Sequence, residues 1–409
     1  MTEDAWTWLD SLKSFGYNPS LDNTATLLAR LDMPQHSFPS IHVAGSNGKG
    51  TCCAILANAL TLSGTCTGLF TSPHLISVNE RVRVDGAPIS DILFESCLKQ
   101  IQVACDIEPT ITPTFYETTF LVAMLAFREL GVQRAVIETG LGGRWDATRL
   151  VDADCCILTQ ISLEHTKILG NTLSEIAFEK SAIAREGMPL ISVWNDDENV
   201  RKIISESVSS PKLMEWYKPL AKQKMKDEAV ALANLAITKM GFDFKCDDSA
   251  KLTIWPGRMQ RISHSKELEI LLDCAHNPSG ISRSFEEISS NYGNIKNIIL
   301  GCTEQTNFEG FLEPVIEYIN SNQIENLILT EPQGGRTESV SVKNLFEIFS
   351  SKLIVTKIHL ESSPRDAIKK GKSLTNNATL LCIGSLYLIG NLLSILELDS
   401  GDSMSILLN

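Results

Sequence analysis

The sequence predicts an α/β protein with a larger N-terminal and a smaller C-terminal domain. Three observations carry this. The 409 residues are more than one core usually organises. Short β-branched runs alternate with helical stretches throughout, the pattern of parallel strands joined by crossover helices. A proline and glycine punctuate the chain at Trp255-Pro256-Gly257-Arg258, after which a second strand–helix series begins. The expected domains are therefore 1–258 and 259–409, and the cleft between two such domains is the default place for a ligand.

The first strand is Ile41-His42-Val43-Ala44, followed by a glycine-rich turn and a helix from about Thr51 to Leu62. Arg134–Glu138, Asp154–Ile161 and Pro189–Val193 read as further strands, each short, apolar and bounded by turn residues. In the second series the expected strands are Leu268–Asp273, Ile295–Leu300, Asn326–Thr330, Ile358–Leu360 and Thr379–Ile383.

Composition narrows the function. With 43% hydrophobic and 21% charged residues the chain has the profile of an ordinary globular enzyme. No apolar run is long enough to span a bilayer, and Met1-Thr2-Glu3-Asp4-Ala5-Trp6 lacks the basic start and apolar core of a signal peptide. A cytoplasmic enzyme with no membrane partner is expected. A formal net charge of −13 argues against general nucleic-acid binding, yet leaves room for anionic substrates held by local lysines and helix ends. The 11 cysteines show no C-x-x-C spacing, and Cys52, Cys53, Cys155, Cys156 and Cys382 sit in apolar stretches. Buried thiols account for them better than disulfides or zinc.

The densest chemical signal is Gly45-Ser46-Asn47-Gly48-Lys49-Gly50-Thr51. Glycines let backbone N–H groups turn toward an anion, and the following helix adds its N-terminal dipole. Lys49 can meet outer phosphates and the Thr51 hydroxyl can bind Mg²⁺. The spacing departs from G-x-x-x-x-G-K-[ST], because Gly50 is inserted before the threonine; the plain alternative is an ordinary strand–helix turn.

Two strand ends add metal-capable groups. Glu138 closes a buried strand and reads either as a site residue or as a solvated strand end. His165 follows the strand 154–161, where a satisfied structural histidine is the plain alternative. Lys180, in Glu179-Lys180-Ser181-Ala182-Ile183, would by itself be a surface lysine. In the second series the strand before Asp273-Cys274-Ala275-His276-Asn277-Pro278 ends in a polar cluster. There Asp273 could accept from ribose hydroxyls and His276 could orient a base or phosphate, or Asp273 or Asn277 could simply cap the next helix.

Together these segments resemble bacterial folylpolyglutamate synthase/dihydrofolate synthase, within the Mur ligase superfamily. The matching pieces run in order: Val43 to Thr51, Thr71-Ser72-Pro73-His74-Leu75, Asn79-Glu80-Arg81-Val82 and Phe115-Tyr116-Glu117. Then come Glu138 to Thr148, His165, Glu179-Lys180, Pro256-Gly257-Arg258, Asp273 to Pro278, and Gly384-Ser385-Leu386-Tyr387. The resemblance implies a P-loop-like ATPase domain and a Rossmann-like C-terminal domain. It implies ATP-dependent ligation of L-glutamate to dihydropteroate or folates through an acyl phosphate. Gly45, Ser46, Asn47, Gly48, Lys49, Gly50 and Thr51 would hold the ATP phosphates, with Asn234, Arg258, Asp273 and His276 as further nucleotide contacts. Thr51 and the family positions Ser72, Glu138 and His165 would hold Mg²⁺. Lys180 matches a lysine that carries a CO₂-derived carbamate and then serves a second Mg²⁺. A monomer is expected, with small molecules as its only partners: ATP, L-glutamate and folate or dihydropteroate. The chain departs from the family at Thr303-Glu304-Gln305-Thr306-Asn307, where a Lys-Asp pair is common, and at Cys274, where glycine is usual.

Competing expectations are a Mur-type ligase acting on another carboxylate, a P-loop ATPase serving as a mechanical switch, and an ATP-binding regulator without catalysis.

Overall fold

The computed structural model describes residues 4–17, 19–263, 268–293, 295–305, 307–335, 337–399 and 404–407. Met1, Thr2, Glu3 and Thr306, which figure in the sequence reading, lie outside the described residues. The chain forms two compact units. One holds the residues up to Leu220, Met225–Ile254 and those from Met404 on; the other holds Ala221–Lys224 and Trp255–Ser403. The sequence reading set its boundary at 258 and gave the whole C-terminus to the second domain. Residues 404–407 return to the first unit because Ile406 is buried there, with its N–H donating to the Gly86 carbonyl and its carbonyl accepting from Ile254.

The first unit is built on eight strands: β1 (Ser40–Ala44), β2 (Thr67–Phe70), β3 (Val82–Val84), β4 (Ala87–Pro88), β5 (Arg134–Glu138), β6 (Ala153–Leu158), β7 (Leu190–Val193) and β8 (Met214–Tyr217). Their spatial order is β4-β3-β2-β5-β1-β6-β7-β8. The run from β2 to β8 is parallel, and β3 and β4 add an antiparallel edge. β1 lies between β5 and β6, so the loops that follow these three strands gather at one end of the sheet.

The helix Lys49–Leu62 buries every residue from Cys52 to Leu60. That stretch is apolar but for Asn58 because it is covered all round, and Cys52 and Cys53 sit in it as buried free thiols. The helix Phe115–Glu129 begins with a capping box in which the Thr114 hydroxyl accepts from the Glu117 N–H and the Glu117 carboxylate accepts from the Thr114 N–H.

The second unit carries β9 (Gln260–Ser263), β10 (Leu268–Asp273), β11 (Ile295–Leu300), β12 (Asn326–Leu329), β13 (Lys357–Leu360) and β14 (Ala378–Ile383), in the order β13-β12-β11-β14-β10-β9. Five strands are parallel and β9 runs antiparallel on the edge, the Rossmann-like arrangement.

The expected strands appear with shifts of a residue or two, except that β6 stops at Leu158 rather than at Ile161. The chain leaves the sheet there because the Gln160 carbonyl is taken by the N–H of Ser46 instead of a neighbouring strand. The strands at Thr67–Phe70, Val82–Val84, Ala87–Pro88, Met214–Tyr217 and Gln260–Ser263 were not anticipated. They are at most four residues long, too short for a period-two pattern to stand out.

Candidate active site

The loop after β1 is shaped by its glycines. Gly45 has φ 141°, and a Cβ on it would lie 1.9 Å from the Thr159 hydroxyl. Gly48 takes φ 87° as the residue before the helix Lys49–Leu62. No side chain caps that helix and no acidic residue occupies its first turn, so its N–H groups and dipole are left for an anion. Gly50 and Thr51 lie in that first turn and are half-buried.

The loop is clasped to the segment beyond β6. Ser46 N–H donates to the Gln160 carbonyl at 2.7 Å, and the Ser46 hydroxyl accepts from Ser162 N–H at 3.0 Å. The Asn47 amide donates to the Ser162 hydroxyl at 3.4 Å. Lys49 folds back over its own loop, donating to the Gly45 carbonyl at 2.9 Å and to that of Ser46 at 3.3 Å.

Lys180 is not the surface lysine that its helix suggests. Only 2% of it is exposed. Its ammonium donates to the same Gly45 carbonyl at 2.9 Å and pairs with Glu164 Oε1 at 2.7 Å. Two lysines thus meet on one loop oxygen, with a buried carboxylate beside them. Burial favours the neutral form of Lys180 and pulls its pKa down, an effect the Glu164 charge opposes. Burial would raise Glu164, but the charges of Lys180 and then Lys49 overcome it and hold the carboxyl at about 2.

Glu138, at the end of β5, is buried, and its Oε2 accepts from Ser72 N–H at 3.1 Å. His165 is exposed and sits in the left-handed region, φ 45°, ahead of the short helix Thr166–Leu169. Its imidazole pKa is lowered, by desolvation first and by the Lys180 and Lys49 charges, against the pull of Glu164. These couplings put His165, Glu164, Lys180 and the loop lysine in one electrostatic neighbourhood. Ser72 and Glu138 join each other by a direct hydrogen bond.

The remaining expected nucleotide residues divide between the two units. The Asn234 amide donates to Asp247 and its carbonyl accepts from Cys246 N–H, which ties two helices of the first unit together. Arg258, Asp273 and His276 belong to the second unit. There Asp273 is buried and accepts from Met259 N–H, Ala275 N–H and the Ser284 hydroxyl. Asn277 caps the helix Pro278–Asn291 through Gly280 N–H. His276 is exposed, its Nδ1 2.9 Å from the Cys274 carbonyl. Cys274 is buried, its thiol pushed up to about 12 by desolvation, and Asn307 caps the helix Phe308–Ser321.

Sequence reasoning gave no role to Glu164, although it precedes His165 in the same segment. It also missed the buried group around Asp146, whose carboxylate accepts from Tyr116, Gly140, Leu141 and Thr148. Asp146 and Thr148 stand in the polar turn after Glu138, but only the fold brings Tyr116 to them.

Residues 43–254 match the model of the Mur ligase middle domain, and residues 257–386 that of the Mur ligase glutamate ligase domain. The dihydrofolate synthase/folylpolyglutamate synthase of Bacillus subtilis is 38% identical over 209 residues, which cover 50% of this chain and 49% of that protein. The dihydrofolate synthetase of Saccharomyces cerevisiae is 29% identical over 92% of this chain and 97% of its own length. The bifunctional folylpolyglutamate synthase/dihydrofolate synthase of Yersinia pestis, solved with AMPPNP and Mn ion, superposes with a TM-score of 0.81 at 22% identity, covering 97% of this chain and 98% of that one. The middle-domain match alone spans more than half of the residues, and its glycine-rich loop is the one built here around Gly45 and Lys49: the chain belongs to the Mur ligase family.

Proposed function

We propose that this chain is an ATP-dependent ligase that joins L-glutamate to dihydropteroate or to folates, acting as a cytoplasmic monomer. The observation that carries the reading is the convergence of Lys49 and Lys180 on the Gly45 carbonyl beside an uncapped helix start. Family membership and relatives named as dihydrofolate and folylpolyglutamate synthases support it.

A carboxylate does not acylate an amine by itself. Its oxygen attacks the γ-phosphorus of ATP, releasing ADP and leaving an acyl phosphate. The neutral amine of glutamate then attacks the acyl carbon and phosphate departs. Lys49 gives up its loop carbonyls for the phosphates and places its charge on the transferring group, where most of phosphoryl-transfer catalysis lies. The loop N–H groups and helix start orient the same phosphates. Asn234, Arg258, Asp273 and His276 are the further nucleotide contacts of this proposal.

Thr51, Ser72, Glu138 and His165 would hold Mg²⁺, which when bound neutralises phosphate charge. The donor set fits that ion: oxygen ligands dominate, and among the described residues no three His, Cys, Asp or Glu side chains form a ready-made cage. A site completed by substrate phosphates and water is the usual arrangement for Mg²⁺. Lys180 is proposed to carry a carbamate: the neutral amine attacks CO₂, forms an N–C bond and releases a proton. The desolvation that lowers its pKa favours the neutral amine that this requires.

The test is a substrate panel with ATP, Mg²⁺ and L-glutamate, in which dihydropteroate, reduced folates and cell-wall precursors are compared. Glutamate-dependent ADP release with a pteroate or folate is expected. Release only with another carboxylate would move the substrate assignment, and substrate-independent hydrolysis would remove the ligase reading altogether.

A further inference from the structure

His42 stands on β1, fully buried, three residues before the nucleotide loop. Among the described residues its ring hydrogen-bonds to Thr148 and to none of the groups placed in the reaction. Its Nε2 lies 2.8 Å from the Thr148 hydroxyl, which lies 2.5 Å from Asp146 Oδ1. Asp146 is surrounded by donors: the Tyr116 hydroxyl at 2.9 Å and Thr148 N–H at 3.0 Å reach Oδ1, and Gly140 and Leu141 N–H, each at 2.9 Å, reach Oδ2. Burial pushes the Asp146 pKa up and these hydrogen bonds pull against it. An ionised carboxylate is the form that uses all five donors.

This fixes the protons along the line. The single proton of Thr148 Oγ1 is spent on Asp146, so the hydroxyl can only accept from His42, and Nε2 must carry a hydrogen. Nδ1 meets no hydrogen-bond partner among the described residues, so a second proton there would be a buried charge without a counter-group. The neutral Nε2–H tautomer is the one the geometry accepts. Desolvation, with Arg185 and Arg149 nearby, lowers the imidazole pKa in the same sense.

The line ends where the site begins. Asp146 Oδ2 holds the N–H groups of Gly140 and Leu141, the second and third residues after Glu138. A Cβ on Gly140 would lie 2.5 Å from the Tyr116 ring, so the turn has little freedom around this anchor. We propose that His42 is a positioning residue for the site: its Nε2–H orients Thr148, Thr148 and Tyr116 orient Asp146, and Asp146 sets the turn that aims the Glu138 carboxylate. The inference rests on the metal role proposed for Glu138.

Two readouts test it in the full-length chain. In ¹⁵N-histidine spectra of the wild type, the His42 ring should show a protonated Nε2 and a bare Nδ1 across neutral pH. Its signal is identified by its loss in His42→Gln, or by through-space contacts to the Thr148 methyl if that variant does not fold. A protonated Nδ1 or an imidazolium would overturn the proposal. In Mg²⁺ titrations of ligation, His42→Gln, whose amide can donate from the Nε2 position, should stay near wild type. His42→Leu should need on the order of tenfold more Mg²⁺, the scale of losses when support behind a metal ligand is removed. Equal Mg²⁺ curves for the two variants would also overturn it. Failure of the ligase reading is separate, since it shows as no glutamate-dependent ADP release in the wild type.

Discussion

At the scale of single residues, the site depends on charges held where their plain roles do not require them. Among the described residues Lys49 donates to the loop carbonyls of Gly45 and Ser46, so Lys49→Ala should fold as the wild type does and lose most ligation, by about 10² or more in kcat. A folded Lys49→Ala enzyme with normal turnover would falsify the phosphate-loop assignment. Glu138→Gln and His165→Ala should each raise the Mg²⁺ requirement while leaving the KM for glutamate nearly unchanged; unchanged Mg²⁺ curves in both would place the metal elsewhere. Lys180 is the most exacting case. In its unmodified form Lys180 is the ammonium that neutralises Glu164, so relative to that form Lys180→Ala should lose stability by roughly 3 kcal/mol or more, as well as activity. If the carbamate forms, short carboxylates added to Lys180→Ala should restore part of the activity, and ¹³CO₂ should label the wild type. Neither signal appearing would leave Lys180 as a structural cation that braces Gly45.

The element that matters most is the strand–loop–helix unit from β1 to Leu62. Its loop is held by backbone geometry and by hydrogen bonds to the segment after β6, more than by side chains of its own. Gly45→Ala should therefore be severe although it adds one methyl: the Cβ would enter the Thr159 hydroxyl, and φ 141° is strained for alanine. Nucleotide affinity, read by ATP-analogue titration, should fall well before the melting temperature does. A Gly45→Ala chain that binds nucleotide normally would show that the loop can shift away from Thr159 at little cost. The same geometry explains why β6 ends early. Residues 159–162 serve the loop, and the sheet loses three residues of strand to it.

At the scale of the whole molecule, residues 404–407 complete the first unit. Arg83, buried at 1% exposure, donates to the Met404 carbonyl at 2.6 Å, and the Asn58 amide donates to that of Ile406 at 2.9 Å. A chain ending at Ser403 leaves buried donors without these carbonyls and opens the place of Ile406. A loss on the order of 3 kcal/mol follows from one charged hydrogen bond and one buried aliphatic side chain. Thermal unfolding should show it as a clear drop in Tm, and an unchanged Tm in the truncated chain would mean that the segment is dispensable. The same segment illustrates a limit of domain reading from punctuation. The break at Trp255–Arg258 is visible, and Ser400-Gly401-Asp402-Ser403 is another turn signal before Met404, but nothing in that run says to which unit the residues beyond it belong.

By itself the sequence determined the α/β class and the glycine-rich loop, because these follow from local pattern: buried strands are apolar runs, and close backbone approach requires glycine. It also carried the family resemblance through ordered motifs. It could not weigh Lys180 against an ordinary surface lysine, because burial belongs to the helix packing and not to the residues beside it. Glu164 went unassigned, and the line from His42 through Thr148 to Asp146 was invisible, since its members come from a strand, a turn and their meeting in space. Only the tertiary structure decided these, because hydrogen-bond partners a hundred residues apart leave no periodicity in the chain.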